Sequence, residues 1–189
     1  MPSEFDALTA GVGYGGLTDR SQIHIALCFI LETAGCPLSD EGITKLLCDN
    51  ELANYFEVRD AISLMDERGY ISPVTYCGRA CYEVTDKGSN AAELLSSYLP
   101  VVFRSRVVKL ALDTAARERR LEGVDAEING ASDGGVNLTM TIKDRAGEPM
   151  MSFTMYMGNT AQAEVLRDRF LENPAAMYAA ITEAMLGDK

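Results

Sequence analysis

Apolar residues recur at helical spacing at the start of the chain. In residues 19–34 they fall at i, i+4, i+7, i+8 and i+11, which predicts an amphipathic helix with one buried stripe. Thr18 or Asp19 can cap this helix, and Gly35 ends it. A second short helix is predicted to begin at the cap Ser39 and to end near residue 50. The residues of the first stripe are Ile23, Leu27, Ile30, Leu31 and Ala34.

A third helix is predicted to begin at about Asn54. This residue stands three positions before Glu57, which is a variant capping box. Gly69 has the position of a left-handed residue that ends the helix. The predicted inner face consists of Val58, Ala61, Ile62 and Met65. The predicted exposed face consists of Tyr55, Glu57, Arg59, Asp60, Ser63, Asp66 and Glu67.

Two short strands are predicted next, at 70–72 and 80–84, with the tip of their hairpin at 77–79. Thr85 can cap a fourth helix over about 86–98, and a long helix follows Pro100 to about residue 121. The order of helix, helix, helix, hairpin and helix is that of a winged helix-turn-helix.

The pattern changes to alternation after Gly123. Residues 124–129, 136–142 and 150–157 alternate apolar and polar side chains, which predicts a three-stranded antiparallel sheet with one buried face. Its other face is either solvated, a small-molecule sensing surface or a surface that pairs with a partner's sheet. Two helices, about 160–172 and 174–186, are predicted to cover the buried face. Their covering residues are Leu166, Phe170, Met177, Ile181 and Met185.

These elements predict an α+β protein in two parts. The chain has 189 residues, of which 47% are apolar, enough for one large or two small cores. We expect a flexible arm at 1–17, a winged-helix domain at 18–98, a connecting helix at 99–122 and a small α+β domain at 123–189.

Charge and cysteine usage limit the partners and the location. Seventeen basic and 28 acidic side chains give a net charge of −11, so the whole chain is not expected to attract nucleic acid or anionic lipid. Only residues 101–122 are basic on balance. No apolar run is long enough to span a membrane, and the acidic start does not resemble a signal peptide. An odd number of cysteines, five, favours reduced thiols and a cytoplasmic location.

Cys77 and Cys81 flank the predicted hairpin tip. The simplest interpretation is that they are neighbouring strand residues. The alternatives are a zinc site completed by Cys48 or Cys28, and a redox switch in which the pair closes to a disulfide. No metal or cofactor is predicted, since a zinc site needs about four ligands at tight spacing.

Catalytic groupings are not visible in the sequence. His24 is the only histidine, and no third group orients it for a Cys–His pair. Residues 11–16 fit the pattern G-x-G-x-x-G, but no buried strand precedes them, so a glycine-rich tail is the better interpretation. We therefore predict that the protein is not an enzyme.

Two stretches resemble a known family. Asn54-Tyr55-Phe56 leads into Gly69-Tyr70-Ile71, and Tyr82-Glu83-Val84-Thr85-Asp86-Lys87-Gly88 follows. On these residues the chain resembles the bacterial family catalogued as domain of unknown function 4364, from Leu17 to near the C-terminus. Similar strings to the second stretch close the wing in many winged-helix regulators. The resemblance implies a winged-helix DNA-binding protein or transcriptional regulator.

A DNA-binding winged helix places its third helix in the major groove. Arg59 would then pair with a guanine, and Asn54 or Ser63 would contact phosphate. Tyr55 would lie on the same helix, Arg79 on the wing and Lys87 on the following helix. The expected partner is double-stranded DNA.

The alternative function is a winged-helix protein-protein interaction module without DNA contact, which the acidic side chains of the third helix favour. The basic residues of 104–120 either add phosphate contacts, form a solvated helix face or pair with the acidic C-terminal domain. The same helix carries an apolar line through Val101, Val108, Leu112 and Ala115. Part of this line predicts a homodimer interface.

Overall fold

Helices and short strands alternate along the chain in the computed structural model, which describes residues 10–76, 79–132 and 134–187. The chain divides into two units, residues 1–118 (unit 1) and 119–189 (unit 2). The elements that begin in unit 1 are α1 (Arg20–Ala34), β1 (Leu38–Ser39), α2 (Asp40–Cys48), α3 (Tyr55–Glu67), β2 (Ile71–Tyr76), β3 (Arg79–Val84), α4 (Asp86–Leu95), a 3-10 turn (Ser96–Tyr98) and α5 (Val101–Arg120). Those of unit 2 are β4 (Val124–Gly130), β5 (Val136–Lys143), β6 (Pro149–Met157), α6 (Thr160–Glu172) and α7 (Pro174–Leu186). The protein is therefore a mixed α+β protein with two three-stranded antiparallel sheets in its described residues.

The predicted helix caps are confirmed in unit 1. Asp19 accepts a hydrogen bond from the backbone of Gln22, and Ser39 accepts one from Gly42. Gly35 ends α1 with φ of 60°, in the left-handed region where glycine has no Cβ penalty. The local sequence signals thus set where each helix begins and ends.

The first sheet has the strand order β1-β3-β2. Strands β2 and β3 form the predicted hairpin, paired from Ile71 opposite Val84 to Tyr76 opposite Arg79. The sequence did not predict β1, in which Leu38 pairs with Tyr82. Two residues are too few to show an alternating pattern, and their pairing partner lies more than 40 positions away.

Glycines allow residues 10–17 to pack against the loop before α3. The backbone N–H of Leu17 donates to the carbonyl of Leu52 at 2.7 Å, and the Leu17 side chain is buried. A Cβ on Gly16 would lie 2.7 Å from the carbonyl oxygen of Glu51, so only glycine fits there. The G-x-G-x-x-G string therefore provides close backbone packing, and residues 10–17 differ from the flexible arm that the sequence predicted for 1–17. Residues 1–9 lie outside the described part of the chain.

The α5 helix contributes a buried stripe to the core of unit 1. The four apolar residues of this stripe recur every four positions and are fully or nearly fully buried. Ala115, which the sequence placed on an apolar line for dimerisation, belongs to this buried stripe, whereas Val101, Val108 and Leu112 are exposed. The buried residues of the helix are Phe103, Val107, Ala111, Ala115 and Glu118.

The second sheet confirms the predicted meander, with the order β4-β5-β6. Leu138 and Met140 of β5 are buried, and Phe170 of α6 packs against them in the core of unit 2. The polar face has hydroxyl pairs across the strands, such as Thr139 with Thr154 at 2.9 Å. Solvation, small-molecule sensing and pairing with a partner's sheet stay the three alternatives for this face.

The prediction that two helices cover the sheet is wrong for most of α7, which is largely exposed. Met177 is half-buried against the core of unit 2, but Met185 is 83% exposed. α6 contacts all three strands of the sheet, while α7 is apolar around much of its circumference and presents no single face. Among the described residues, no helix combines the length and apolarity needed to cross a bilayer.

Candidate nucleic-acid interface

The α3 helix presents the surface that the sequence predicted as a recognition surface. Its inner residues, Val58, Ala61, Ile62 and Met65, are buried as predicted. Glu57 was predicted to be exposed and is instead buried, since its carboxylate accepts two hydrogen bonds from Arg20 at 2.7 and 3.0 Å. This contact turns Glu57 away from the capping box, so only the Asn54 half of that box is formed.

Both polar atoms of the Asn54 side-chain amide form hydrogen bonds within the chain. Its oxygen accepts from the backbone N–H of Phe56 at 2.9 Å, which caps α3. Its nitrogen donates to the carbonyl of Ala10 at 2.7 Å, and the residue is buried. The side chain therefore has a structural position rather than the phosphate-contacting one that the sequence suggested.

Arg59 lies on the exposed side of α3 and forms an ion pair with Asp40, the first residue of α2. The hydrogen bond to Asp40 raises the pKa of Arg59 above its usual value. Both side chains are about 40% exposed, with 43% for Arg59 and 40% for Asp40. Exposed pairs of this kind contribute about 0–1 kcal/mol, so the guanidinium can exchange to another anion at small cost.

Arg79 is the first residue of β3 and points to α5 instead of to solvent. Its guanidinium donates to Oε2 of Glu118 at 2.6 Å, and the Glu118 side chain is only 4% exposed. The other carboxylate oxygen accepts from the backbone N–H and the hydroxyl of Ser39, at 3.2 and 2.5 Å. Arg79 thus ties the hairpin to α5 and to the start of α2, and it does not extend from the wing as predicted.

Lys87 is exposed but is also engaged. Its ammonium donates to the carbonyl of Arg68 at 2.7 Å and lies 4.0 Å from the ring centroid of Tyr70. Thr85, two residues earlier, donates its hydroxyl to the carbonyl of Gly69 at 2.8 Å. The T-x-K-G string therefore fastens the start of α4 to the end of α3.

The remaining surface of α3 combines aromatic and acidic side chains. Tyr55 and Phe56 are exposed and meet edge to face, with ring centroids 5.6 Å apart. Phe56, which the sequence did not place on the exposed face, is 73% exposed. Ser63 is exposed beside Asp60 on a cleft between α1 and α3. The structure thus brings Tyr55, Arg59 and Ser63 to one helix surface and withdraws Asn54 and Arg79 from it.

The cleft between α1 and α3 has a volume of about 340 Å³ and includes His24. Burial lowers the pKa of His24, and Arg68 and Arg20 lower it further, against the opposing effect of Asp19 and Glu57. The imidazole therefore favours its neutral form. Among the described side chains, no group of three or more His, Cys, Asp or Glu is arranged to hold a metal ion.

Two cysteines that the sequence offered for a metal site or a redox switch, Cys81 and Cys28, are buried. Cys81 is 1% exposed and lies opposite Val74 in the sheet, whereas Cys77 falls outside the described residues. Cys28 is fully buried, and burial raises the pKa of its thiol to about 11. Buried thiols that stay protonated react slowly, because the thiolate is the nucleophile.

The basic stretch of α5 is partly used inside unit 1. Arg106 donates to the backbone carbonyls of Tyr14 and Asn50, at 3.2 and 3.0 Å. It joins the glycine-rich segment to the loop after α2. Lys109 is exposed on the same helix and contributes a solvated charge.

Glu118 is the buried partner of Arg79 that the sequence did not identify. The signal was present, since Glu118 continues the stripe of Phe103, Val107, Ala111 and Ala115, where a lone carboxylate predicts a buried ionic partner. The identity of that partner, Arg79, depends on tertiary packing across 39 positions.

Comparison with known proteins gives one family. No curated protein and no solved structure matches the chain significantly. One family, described as Domain of unknown function (DUF4364), matches residues 23–185, which include every helix and strand of the described chain except the first residues of α1 and the last residue of α7. The chain therefore belongs to the DUF4364 family.

Proposed function

We propose that unit 1 is a winged helix and that the protein is a DNA-binding transcriptional regulator or accessory factor. The observation that carries the proposal is the order α1, α2, α3 and hairpin, with β1 paired onto β3 and the N-terminal half of α3 exposed. A helix-turn-helix reads DNA with the exposed N-terminal residues of its second helix, which here is α3.

Arg59 is the central contact in this proposal. It exchanges Asp40 for a guanine edge or a phosphate, which costs little because the pair is exposed. Tyr55 and Ser63 contact the backbone from the same helix surface, and Lys87 contributes a second cation. Asn54 and Arg79 hold the surface in place without contacting DNA, since Asn54 is buried and Arg79 is paired with the buried Glu118, whereas Arg59 and Lys87 are exposed.

This footprint is small and binding is correspondingly weak. The two cations of this footprint, Arg59 and Lys87, release few counterions, whereas strong binders neutralise about 6–10 phosphates. Asp60 and Glu67 on α3 weaken it further by repulsion. Two copies acting on adjacent half-sites would give the affinity that one copy lacks.

The direct test is retention of random genomic fragments by the full chain at about 50 and 200 mM salt, followed by sequencing of the retained DNA. Salt-sensitive retention that enriches a sequence motif supports a regulator. No retention at the lower salt concentration argues against DNA binding by this protein.

The Arg59–Asp40 pair gives the second test. Arg59→Ala should weaken DNA binding about tenfold and reduce its salt dependence, because a phosphate or base contact is lost. Asp40→Asn should strengthen binding severalfold, because it releases the guanidinium and removes a negative charge from the same surface. Affinities measured by fluorescence anisotropy at several salt concentrations check both changes.

Arg145→Ala is the matched control, since it removes an exposed arginine from a turn of unit 2. It should leave the affinity unchanged within twofold. If Arg59→Ala and Arg145→Ala have equal effects, or if Asp40→Asn weakens binding, Arg59 is not the contact.

The second candidate is a protein-interaction module, which one observation favours. Phe56 is 73% exposed beside Tyr55, with Asp60 and Glu67 on the same helix. An exposed aromatic pair with a charged rim is typical of protein interfaces. Failure of the full chain to retain DNA at the lower salt concentration, together with a folded Phe56→Ala variant that no longer binds a purified partner protein, would favour this function.

A further inference from the structure

The first turn of α3 presents two aromatic rings to solvent. Tyr55 and Phe56 are the first two residues of this helix, and both are more than half exposed. Their rings meet edge to face, with an interplanar angle of 83° and centroids 5.6 Å apart. This contact fixes the orientation of the two rings, while it covers only part of their flat faces. The start of α3 therefore offers open, preoriented aromatic faces to a flat ligand.

Arg59 adds a third flat group beside these rings. It follows Tyr55 by four positions and Phe56 by three, so it neighbours both rings on the helix surface. The hydrogen bond to Asp40 is the largest cause of its raised pKa, and Tyr55 and Tyr82 also raise the pKa, against the effect of burial. The guanidinium thus lies within electrostatic range of phenols on both α3 and β3. We call Tyr55, Phe56 and Arg59 the α3 tip.

The charges on the rest of α3 limit how DNA can lie against it. Asp60 and Glu67 are exposed, and they repel the phosphates of a duplex that lies along the whole helix. The faces of bases carry no net charge, so a base that stacks on the α3 tip avoids most of this repulsion. In an intact duplex each base is covered by its neighbours, and only an unpaired base opens a face to a protein ring. The charge pattern therefore favours unpaired bases over a continuous duplex.

We propose that the α3 tip binds unpaired bases in DNA, such as those of a bulge, a gap or a melted site. A base stacks on the exposed ring of Phe56, and Arg59 exchanges Asp40 for the phosphate attached to that base. This inference rests on the proposed DNA binding and names the kind of DNA. Stacking strengthens binding by about 5- to 150-fold per base, which supplies affinity that a footprint of two cations lacks.

A nucleotide fits the α3 tip better than an apolar side chain of a protein does. Aromatic rings and guanidinium planes are the groups on which unpaired bases stack. The phosphate attached to a stacked base also offers Arg59 a charge-assisted hydrogen bond. An apolar side chain would cover the rings but would offer the guanidinium no anion.

The test compares two labelled probes of the same sequence, an intact duplex and a duplex with a bulge of two thymines, by fluorescence anisotropy with the full chain. The wild-type protein should bind the bulged duplex at least about fivefold more tightly at about 50 mM salt. Phe56→Ala should reduce this preference to within about twofold, because it removes the stacking ring.

Tyr98→Ala is the matched control, because it removes an exposed aromatic ring from the 3-10 turn before α5. It should retain the preference for the bulge, and melting curves should confirm that both variants are folded. Equal affinity of the wild-type protein for the two probes overturns the inference and leaves the proposed DNA binding in place. Absence of binding to either probe instead removes the proposed function and this inference with it.

Photochemical cross-linking tests the contact in the wild-type protein, without any variant. A 5-iodouracil placed in the bulge reacts on irradiation with an aromatic ring that stacks on it, and mass spectrometry of the digested protein locates the link. We expect the link at Phe56 or Tyr55. A link found only at other residues contradicts the inference. So does a Phe56→Ala variant that keeps the preference for the bulge, which would assign the aromatic pair to a protein partner.

Discussion

Replacing Glu118 by glutamine should lower the free energy of unfolding by about 3 kcal/mol, because it leaves the charge of Arg79 without its buried partner. Glu118 is 3% exposed and accepts from both Ser39 and Arg79. The buried Nε of Arg79 has no hydrogen-bond partner within the part of the chain that the structure describes. The loss of one carboxylate oxygen is therefore not compensated nearby.

Urea unfolding of the full chain measures this change, with Asp113→Asn as the control. Asp113 is an exposed carboxylate on the same helix, and its loss should change the free energy by less than about 0.5 kcal/mol. The double variant Arg79→Met with Glu118→Gln should recover at least about 1 kcal/mol relative to Glu118→Gln alone, since no buried charge then remains. A loss below about 1 kcal/mol for Glu118→Gln would mean that water solvates Arg79 instead.

The Glu118 network also changes the interpretation of the hairpin. The sequence predicted Arg79 as a DNA-contacting residue, since it lies in the predicted hairpin tip. In the structure Arg79 of β3 pairs with Glu118 of α5, which also accepts from the cap residue Ser39. Removing Arg79 would therefore weaken any function of unit 1 through loss of stability, so it is a poor probe of DNA contact. Arg59 is the better probe, because its partner Asp40 is at the surface.

Local signals predicted most of the secondary structure. Caps such as Ser39 and Thr85 act through a side chain and a backbone N–H only three positions away, so the sequence contains the complete interaction. The alternation in β5 similarly reflects one sheet with one buried face. Hence most element bounds agree closely with the sequence predictions, but β2 extends to Tyr76 where the sequence predicted a strand over 70–72, and β1 was not predicted.

Interactions between distant residues were not predictable in the same way. β1 depends on β3, and Glu57 depends on Arg20, 37 positions away. For α7, the apolar pattern predicted burial against the sheet of the same chain, but only Pro174 of this helix is buried. The residues of the candidate site were the hardest to predict. A cation on an exposed helix face gives the same sequence pattern whether it is solvated or forms an ion pair.

Gly88→Ala should destabilise unit 1 by about 3 kcal/mol, even though alanine favours the interior of a helix by about 1 kcal/mol over glycine. A Cβ on Gly88 would overlap the carbonyl oxygen of Tyr70 and would lie 2.7 Å from Cγ2 of Val84. That same Tyr70 oxygen accepts from the backbone N–H of Thr85 at 3.1 Å. Moving it to make room would weaken the cap of α4 and its attachment to the end of α3.

The control is Gly130→Ala, where a Cβ meets no atom within 4 Å. It should change the midpoint of urea unfolding little, whereas Gly88→Ala should lower it clearly without changing the slope. A neutral or stabilising Gly88→Ala would mean that α4 can withdraw from Tyr70 at no cost. The T-x-K-G string would then have no packing reason for its glycine. The expected loss of stability instead means that the T-x-K-G string holds the start of α4 against the end of α3. This structural role does not depend on what α3 binds.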